Sequence, residues 1–65
     1  MAIQDTLIAL REQHGLTQSE LAERLFVTRQ AVSRWECGET QPGIETLKLI
    51  ATEFHVPVEA LLDLP

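Results

Sequence analysis

The chain has 65 residues, 45% of them hydrophobic and 23% charged, and its five Lys and Arg against ten Asp and Glu give a formal net charge of −5. A chain of this length forms one domain with a modest core, because it buries only about 60% of the surface exposed by its unfolded form. Its apolar runs fall short of the roughly 18 residues of a membrane span, and a single cysteine excludes an internal disulfide, as in reduced cytosolic proteins. The acidic balance disfavours a nonspecific nucleic-acid binder, whose footprint is basic.

Two amphipathic helices are predicted in the first 25 residues. Along the first, apolar residues recur at helical spacing, and these are Ile3, Leu7 and Leu10. Gly15 follows, at a position where a left-handed helix end favours glycine. Thr17 and Glu20, three residues apart, form a capping-box pattern that opens the second helix. The apolar residues of this second helix are Leu21, Ala22 and Leu25.

Three more helices are predicted in the rest of the chain. Thr28 is a candidate N-cap for a third helix that ends near Glu36, with Gly38 beyond its end. The segment "ETQPG", residues 39–43, has the composition of a loop. A fourth amphipathic helix carries the apolar residues Ile44, Leu47, Ile50, Ala51 and Phe54. The segment "VPVEALLDLP", residues 56–65, predicts a short fifth helix. Because no alternating strand pattern occurs, we expect an all-α fold of five helices.

The second and third predicted helices are separated only by the short segment "LFVT", residues 25–28. Two short helices joined by a turn of three or four residues cross at a large angle instead of lying antiparallel. The sequence therefore predicts a helix-turn-helix at this place.

The third predicted helix has two different faces. On a wheel of about 100° per residue, Ala31, Val32 and Trp35 share one arc and are expected to face the core. The opposite arc holds no carboxylate, and its members are Arg29, Gln30, Ser33, Arg34 and Cys37. Arginine pairs bidentately with guanine, glutamine with adenine, and serine with several bases, so this face suits base readout in a DNA major groove. Two arginines are also common on a solvated helix, and Glu36 could pair with one of them, so the residues alone leave both interpretations open.

The segment "LTQSELAERLFVTRQAVSRWECG", residues 16–38, resembles the helix-turn-helix of the Cro/phage-repressor family, also called the xenobiotic-response-element (XRE) type. The likeness extends to both sides. Upstream, "ALREQHGLTQ", residues 9–18, resembles the first helix of the family, and downstream, "PGIETLKLIATEFHVPVEALL", residues 42–62, resembles its last two helices. The resemblance implies that residues 1–65 form one DNA-binding domain, a compact, lambda-repressor-like bundle of five helices with the helix-turn-helix in helices 2 and 3.

The family pattern also implies a role for each residue that it matches. Base readout falls to Arg29, Gln30, Ser33 and Arg34. Contacts with the DNA backbone fall to Thr17, Gln18, Thr28, Thr40 and Gln41. Among these, Gln18 lies at a helix N-terminus, whose backbone N–H groups favour a phosphate. The structural residues are Ala22, where the two helices touch, the apolar Trp35, and an ion pair of Arg11 with Glu36.

Two residues, Phe26 and Cys37, depart from the family pattern, and Glu39 is also unfavourable beside phosphate. Phe26 stands where a residue tolerant of the left-handed conformation is usual, so we expect either a rebuilt turn or a strained Phe26. Cys37 stands where asparagine is common and is a weaker hydrogen-bond donor to phosphate. Glu39 in the following loop repels phosphate. Together they predict weaker anchoring to the DNA backbone than in a typical member.

Catalytic and metal chemistry find little support in the sequence. Cys37, His14 and His55 lack the spacing of a metal site, and we expect Cys37 to be a small polar filler. Paired carboxylates such as Glu20 and Glu23 match a solvated helix face. We therefore expect no metal, no cofactor and no enzymatic activity.

The carboxy-terminal segment carries more apolar residues than one short helix needs, namely Val58, Leu61, Leu62 and Leu64. They can complete the core, form a dimer contact of the kind this family builds from its last helices, or lead into a linker of a longer protein.

These observations favour a sequence-specific transcriptional regulator, expected to be a repressor, in the cytoplasm of a bacterium or encoded by a phage. Its expected partner is double-stranded DNA with a palindromic operator. A monomer with few phosphate contacts binds weakly at physiological salt, so we expect a homodimer joined through the C-terminal helices, with no membrane or metal partner. Two alternatives stay open: a protein-interaction module such as an antitoxin-like partner binder, and the DNA-binding domain of a longer regulator.

Overall fold

A computed structural model of the protein describes residues 3–62, apart from the side chain of Leu62. This part of the chain forms five helices, which are α1 (Ile3–Gln13), α2 (Gln18–Leu25), α3 (Arg29–Cys37), α4 (Ile44–Phe54) and α5 (Val58–Leu62). The same residues contain no β-strand. The prediction of an all-α fold with five helices is confirmed.

Side-chain caps determine where α2 and α3 begin. The Thr17 hydroxyl accepts a hydrogen bond from the backbone N–H of Glu20 at 3.1 Å, and the Glu20 carboxylate accepts one from the backbone N–H of Thr17 at 2.8 Å. The predicted capping box is therefore present. The bond from the Thr17 backbone lowers the pKa of the Glu20 carboxyl below its ordinary value. At α3, the Thr28 hydroxyl accepts from the Ala31 N–H at 3.1 Å.

Helix α2 ends at a residue that is unusual for its backbone geometry. Phe26 has φ 59° and ψ 39°, in the left-handed region, and its side chain is 86% exposed. A residue with a Cβ atom pays about 1–2 kcal/mol in this conformation. Of the two alternatives for Phe26, the structure therefore shows the strained residue, and the turn to Thr28 keeps its short length. At the end of α3, Gly38 has φ 79°, where glycine meets no such penalty.

The core lies between the apolar faces of the helices. Helix α3 packs against α1 and α2, α5 packs against α1 and α4, and α4 also contacts α2. In the described range, the buried apolar residues are Leu7, Leu16, Leu21, Ala22, Leu25, Val32, Trp35, Leu47, Ile50, Ala51, Phe54 and Leu61. Val32 is fully buried and Trp35 is only 6% exposed, while Ala31 packs at the edge of the core. The predicted inner face of α3 is thus the observed one, and its polar face points outward.

Ile44, one of the apolar residues of the predicted fourth helix, lies outside the core, because its side chain is 56% exposed. Ile44 is the first residue of α4. It also lies about 70° from the centre of the buried stripe of that helix on a wheel of 100° per residue. Its position on the wheel and its place at the helix end both reduce its contact with the neighbouring helices.

The carboxy-terminal apolar residues divide into two groups. Leu61 is fully buried, and Val58 packs partly buried against the core, so both complete the core. The side chain of Leu62 and all of Leu64 lie outside the described residues. The dimer contact expected from this segment stays a prediction.

Candidate nucleic-acid interface

The outward face of α3 carries the residues predicted to read bases. Arg29, Gln30 and Arg34 are exposed, whereas Ser33 is half-buried. The predicted set therefore shares one face, with Ser33 the least accessible member. Helix α3 lies with its apolar side on α1 and α2, and this packing holds the exposed side chains on a rigid support.

Glu36, the one carboxylate of α3, is paired with a residue of another helix. The Arg11 Nε donates to its Oε2 at 2.6 Å and the Arg11 Nη2 donates to its Oε1 at 3.1 Å, a bidentate arrangement. The side chain of Glu36 is 7% exposed and that of Arg11 is 18% exposed. The hydrogen bond with Glu36 raises the pKa of the Arg11 guanidinium above its ordinary value. The negative charge of Glu36 is therefore compensated from inside the molecule.

Arg11 also holds the connection between α1 and α2. Its Nη1 donates to the backbone carbonyl of Leu16 at 2.9 Å. One guanidinium thus joins the loop after α1 to the last turn of α3. The predicted ion pair of Arg11 with Glu36 is present in the structure with the geometry of an architectural contact.

Gln18 lies between this ion pair and the exposed face of α3, which the sequence did not indicate. Its Nε2 donates to Glu36 Oε1 at 3.0 Å. Its Oε1 accepts a long bond from Arg29 Nη1 at 3.5 Å. The four side chains therefore form a continuous chain of contacts from α1 through α3 and α2 to Arg29. Helical periodicity could not reveal it, because the contact depends on the angle at which α2 crosses α3.

The other residues predicted to contact a DNA backbone lie at helix starts or in the loop after α3. Thr17 and Thr28 use their hydroxyl oxygens as cap acceptors, and a hydroxyl that accepts a bond retains its O–H as a donor. Both are exposed, as are Thr40 and Gln41. This arrangement leaves four donors accessible to an anion. Whether they meet phosphate stays a prediction.

The charges of α3 are unevenly compensated. Within residues 3–62, the guanidinium of Arg34 has no hydrogen-bond or ion-pair partner, and Arg29 contacts only the neutral amide of Gln18. Glu36 is meanwhile neutralised by Arg11. A protein of net charge −5 thus presents two unpaired positive charges on one helix face.

The residues considered for metal or thiol chemistry are dispersed. Cys37 is a free, exposed thiol, as its place on the outward arc of α3 predicts, and its role as a small polar filler stays a prediction. It follows Glu36 on the outer side of the last turn of α3. His14 packs its ring against Phe54, with ring centroids 4.6 Å apart. Among the described residues, no group of three or more His, Cys, Asp or Glu side chains could hold a metal ion.

None of the helices in the described part of the chain is long and apolar enough to cross a membrane.

Proteins of known sequence are similar to this chain. The chain is 44% identical over 63 residues to the HTH-type transcriptional activator BcrR of Enterococcus faecalis, covering 97% of this chain and 31% of BcrR. It is 34% identical over 61 residues to the antitoxin HigA1 of Mycobacterium tuberculosis, covering 94% of this chain and 41% of that protein. The chain thus spans about a third of the length of BcrR and less than half of that of HigA1.

Solved structures agree with the fold. The P22 c2 repressor in complex with a synthetic operator superposes with a TM-score of 0.88 at 26% identity, over 95% of this chain and 94% of that chain. The biofilm regulator SinR in complex with DNA superposes with a TM-score of 0.80 at 30% identity, over 91% of this chain and 95% of that chain. The predicted likeness to the lambda-repressor type of bundle is confirmed.

A family model described as helix-turn-helix matches residues 7–61, a range that contains α2, α3 and the turn between them. Its match, together with the superposition on a phage repressor, agrees with the resemblance first seen in residues 16–38. The chain belongs to the Cro/phage-repressor (XRE-type) helix-turn-helix family.

Proposed function

We propose that this chain is the DNA-binding unit of a transcriptional regulator and that it reads the major groove with α3. The observation that carries the proposal is the charge of this helix. Arg29 and Arg34 are exposed and unpaired by any carboxylate within the described residues, while Glu36, the one acid of α3, is neutralised by Arg11. Clustered, uncompensated arginines on one face are the local electrostatic footprint of a nucleic-acid surface. The net charge of −5 acts weakly on this face, because charges beyond about 10 Å are screened at 0.1 M salt.

Base readout is proposed for the exposed polar side chains of α3. Arg29 and Arg34 can each grip the O6 and N7 acceptors of a guanine, and Gln30 can pair with the N6 and N7 of an adenine. Ser33, being half-buried, is suited to a short contact at the centre of the face. The apolar side of the helix is fixed by Trp35 and Val32, so the reading side chains have a defined register.

Backbone anchoring is proposed for Thr17, Gln18 and Thr28 at the helix starts and for Thr40 and Gln41 in the loop. Helix N-termini favour phosphate, because their free N–H groups and the helix dipole both attract anions. The exposed Cys37 is a weak donor and Glu39 is negative, so this side of the interface contributes little. We expect weak anchoring by one copy alone.

A homodimer on a palindromic site compensates for this weakness. Neutralising each phosphate contributes about 0.9 to the slope of log K against log salt, so a subunit with two or three such contacts binds poorly at physiological salt. Two α3 helices about 34 Å apart can enter successive major-groove turns. We propose that the C-terminal helices join the copies, that the protein acts as a repressor in the cytoplasm, and that it has no enzymatic activity. Because the chain covers only 31% of BcrR, residues 1–65 are proposed as one domain that can also belong to a longer regulator.

The test is selection of random duplex DNA by the purified chain across a salt series. We expect a palindrome to be enriched and the affinity for it to fall moderately with salt. No enrichment even at low salt would reject the proposal.

A second candidate is a protein-interaction module, and one specific observation favours it. Phe26 is 86% exposed and Ile44 is 56% exposed, which places two large apolar side chains in solvent. The similarity to the antitoxin HigA1 supports a role in binding a protein partner. If random DNA shows no enrichment and the substitutions Phe26→Ser and Ile44→Ser remove binding to a protein partner, this candidate replaces the first.

A further inference from the structure

Glu36 is linked to the exposed Arg29 through Gln18, although the two helix residues do not touch. Glu36 Oε1 accepts from Gln18 Nε2 at 3.0 Å, and Gln18 Oε1 accepts from Arg29 Nη1 at 3.5 Å. We propose that Glu36 is a positioning residue for base readout: it orients the Gln18 amide, and the amide orients the guanidinium of Arg29. This inference rests on the proposed reading of DNA by α3 and assigns to the Arg11–Glu36 pair a role in specificity beyond architecture.

The proposal depends on the direction of each hydrogen bond. A carboxylate is an acceptor only, whereas an amide has one acceptor oxygen and one donor NH2 group. Glu36 therefore admits only the NH2 group of Gln18, and the amide oxygen must point the opposite way, toward Arg29. A guanidinium is a donor only, so the orientation that Glu36 imposes is the one that Arg29 requires.

Arg11 makes this orientation rigid. It binds both oxygens of Glu36, at 2.6 and 3.1 Å, and anchors itself to the Leu16 carbonyl at 2.9 Å. The Glu36 side chain is only 7% exposed, so water competes little for its oxygens. At the outer end of this chain of hydrogen bonds the restraint is weaker, because Arg29 is exposed and its contact with Gln18 is long. The guanidinium is thus restrained on one side while its remaining N–H groups stay available to a base.

A single substitution, Glu36→Gln, reverses the donor and acceptor roles along this chain of hydrogen bonds. The shorter bond from Arg11 Nε keeps an oxygen at the Oε2 position, so the new NH2 group takes the Oε1 position, where it faces Gln18 and also loses the bond from Arg11 Nη2. Gln18 must then turn its oxygen toward residue 36 and its NH2 toward Arg29. Two donors facing each other repel, and Arg29 loses its restraint.

The first measurement uses the free protein and is independent of DNA. NMR relaxation of the Arg29 side-chain Nε is compared in the wild type, in Glu36→Gln, and in the matched control Glu23→Gln, an exposed carboxylate of α2 outside the chain of contacts. We expect the order parameter of the Arg29 side chain to fall in Glu36→Gln alone. An unchanged order parameter in a folded Glu36→Gln variant overturns the proposal.

The second measurement uses DNA selection. The base position read by Arg29 is the one whose preference disappears in Arg29→Ala, and the position read by Arg34 is found in the same way. In Glu36→Gln we expect the preference at the Arg29 position to fall by on the order of fivefold to tenfold, the lower part of the range for losing one bidentate base contact. The preference at the Arg34 position should stay within about twofold, since Arg34 is outside the chain of contacts. A parallel loss at both positions would instead show a general loss of structure and overturn the proposal.

Gln18→Leu decides the matter if Glu36→Gln does not fold. It keeps the Arg11–Glu36 pair and removes both links of the amide, so the same selective loss at the Arg29 position is expected, in addition to a uniform loss from the proposed phosphate contact of Gln18. A loss of affinity that is equal on all sequences would show that Gln18 acts only on phosphate and would overturn the proposal. If the wild type enriches no sequence, the proposed function fails, while the relaxation measurement on the free protein still tests the restraint of Arg29.

Discussion

The helix-turn-helix, α2 and α3, and the C-terminal pair, α4 and α5, both pack through buried apolar residues, and the helix-turn-helix is in addition held by side-chain hydrogen bonds between helices. Helices α2 and α3 begin at threonine caps and are tied to α1 by the hydrogen bonds of Arg11, Glu36 and Gln18. Helix α4 has Gly43 at its N-cap position and no side-chain cap hydrogen bond, and the buried residues of the pair are apolar, as they are in α2 and α3. Burial of apolar surface, which both regions share, is driven by the hydrophobic effect, and this effect has no direction. Base readout needs donors aimed in a fixed direction, and hydrogen bonds provide that direction.

The largest expected effect comes from removing an apolar contact of the helix-turn-helix. Trp35→Ala should destabilise the domain by about 3–5 kcal/mol, the usual cost of truncating a buried aromatic residue. A domain of this size has only about 3–10 kcal/mol in total, so the variant should be largely unfolded at room temperature. Circular dichroism during thermal and urea unfolding measures this. Phe54→Ala, at the end of α4, is expected to cost a similar amount, and a Trp35→Ala variant with unchanged melting would refute the core position of Trp35.

The next effect concerns the polar contacts. Arg11→Met should cost about 2–3 kcal/mol, because it removes the charged partner of the nearly buried Glu36, which the neutral amide of Gln18 compensates only in part; fully buried pairs cost about 3–5 kcal/mol when broken in this way. Urea unfolding provides the free energy. Arg24→Met, which removes an exposed arginine of α2, is the control and should stay within about 0.5 kcal/mol. Equal effects of the two substitutions would mean that the Arg11 contacts contribute nothing beyond a surface charge.

A smaller effect is expected on binding and almost none on folding. Arg34→Ala, like Arg29→Ala, should cost about 1–3 kcal/mol on the selected DNA site and remove the preference at one base position. Melting should be unchanged, because both side chains are exposed. Fluorescence anisotropy on the selected site and on random DNA distinguishes a base contact from a phosphate contact. An equal loss on both DNAs would assign the arginine to phosphate instead of to a base.

The turn between α2 and α3 offers a stabilising substitution. Phe26→Gly should raise the free energy of unfolding by about 1 kcal/mol, because glycine adopts the left-handed conformation without a Cβ clash and the exposed ring makes no buried contact to lose. Phe26→Ala is the matched control: it removes the same ring but keeps the Cβ, so we expect little gain. If alanine stabilises as much as glycine, the exposed ring and not the backbone is the source of the cost.

The smallest effect is a pH dependence in the capping box. The folded pKa of Glu20 is lowered from its ordinary value of 4.5, so its contribution to stability is present above that value and is lost as the pH falls through the lowered pKa. The difference in unfolding free energy between the wild type and Glu20→Gln should therefore disappear on acidification. Glu23→Gln, outside the capping box, serves as the control. A difference that stays constant with pH would exclude the charge of Glu20 as its cause.

Local sequence patterns predicted the helices well because each depends on residues close in the chain. The capping box at Thr17 and the cap at Thr28 needed only the side chain and an N–H three residues away. The exposure of Ile44 was not predicted, because burial at a helix end depends on which neighbouring helices reach that end.

The candidate interface was predictable only in part. The set of outward side chains on α3 followed from the periodicity, and the family resemblance supplied the expected pair of Arg11 with Glu36. The bridge through Gln18 was not predicted, because its partners lie on another helix and are distant in the sequence. Glu36 is 18 positions away from Gln18 and Arg29 is 11 positions away. The sequence assigned Gln18 to a phosphate alone, whereas in the structure its amide donates to Glu36 and accepts from Arg29.

The sequence by itself determined the helix boundaries, the two faces of α3 and the short turn that makes a helix-turn-helix, because caps and periodicity operate within one or two helical turns. Only the tertiary structure decided which charges remain free. The packing of α1 on α3 brings Arg11 to Glu36, and the crossing of α2 over α3 brings Gln18 to both Glu36 and Arg29. Coulomb interactions and hydrogen bonds depend on distances of a few ångströms, and between helices those distances arise only when the chain has folded.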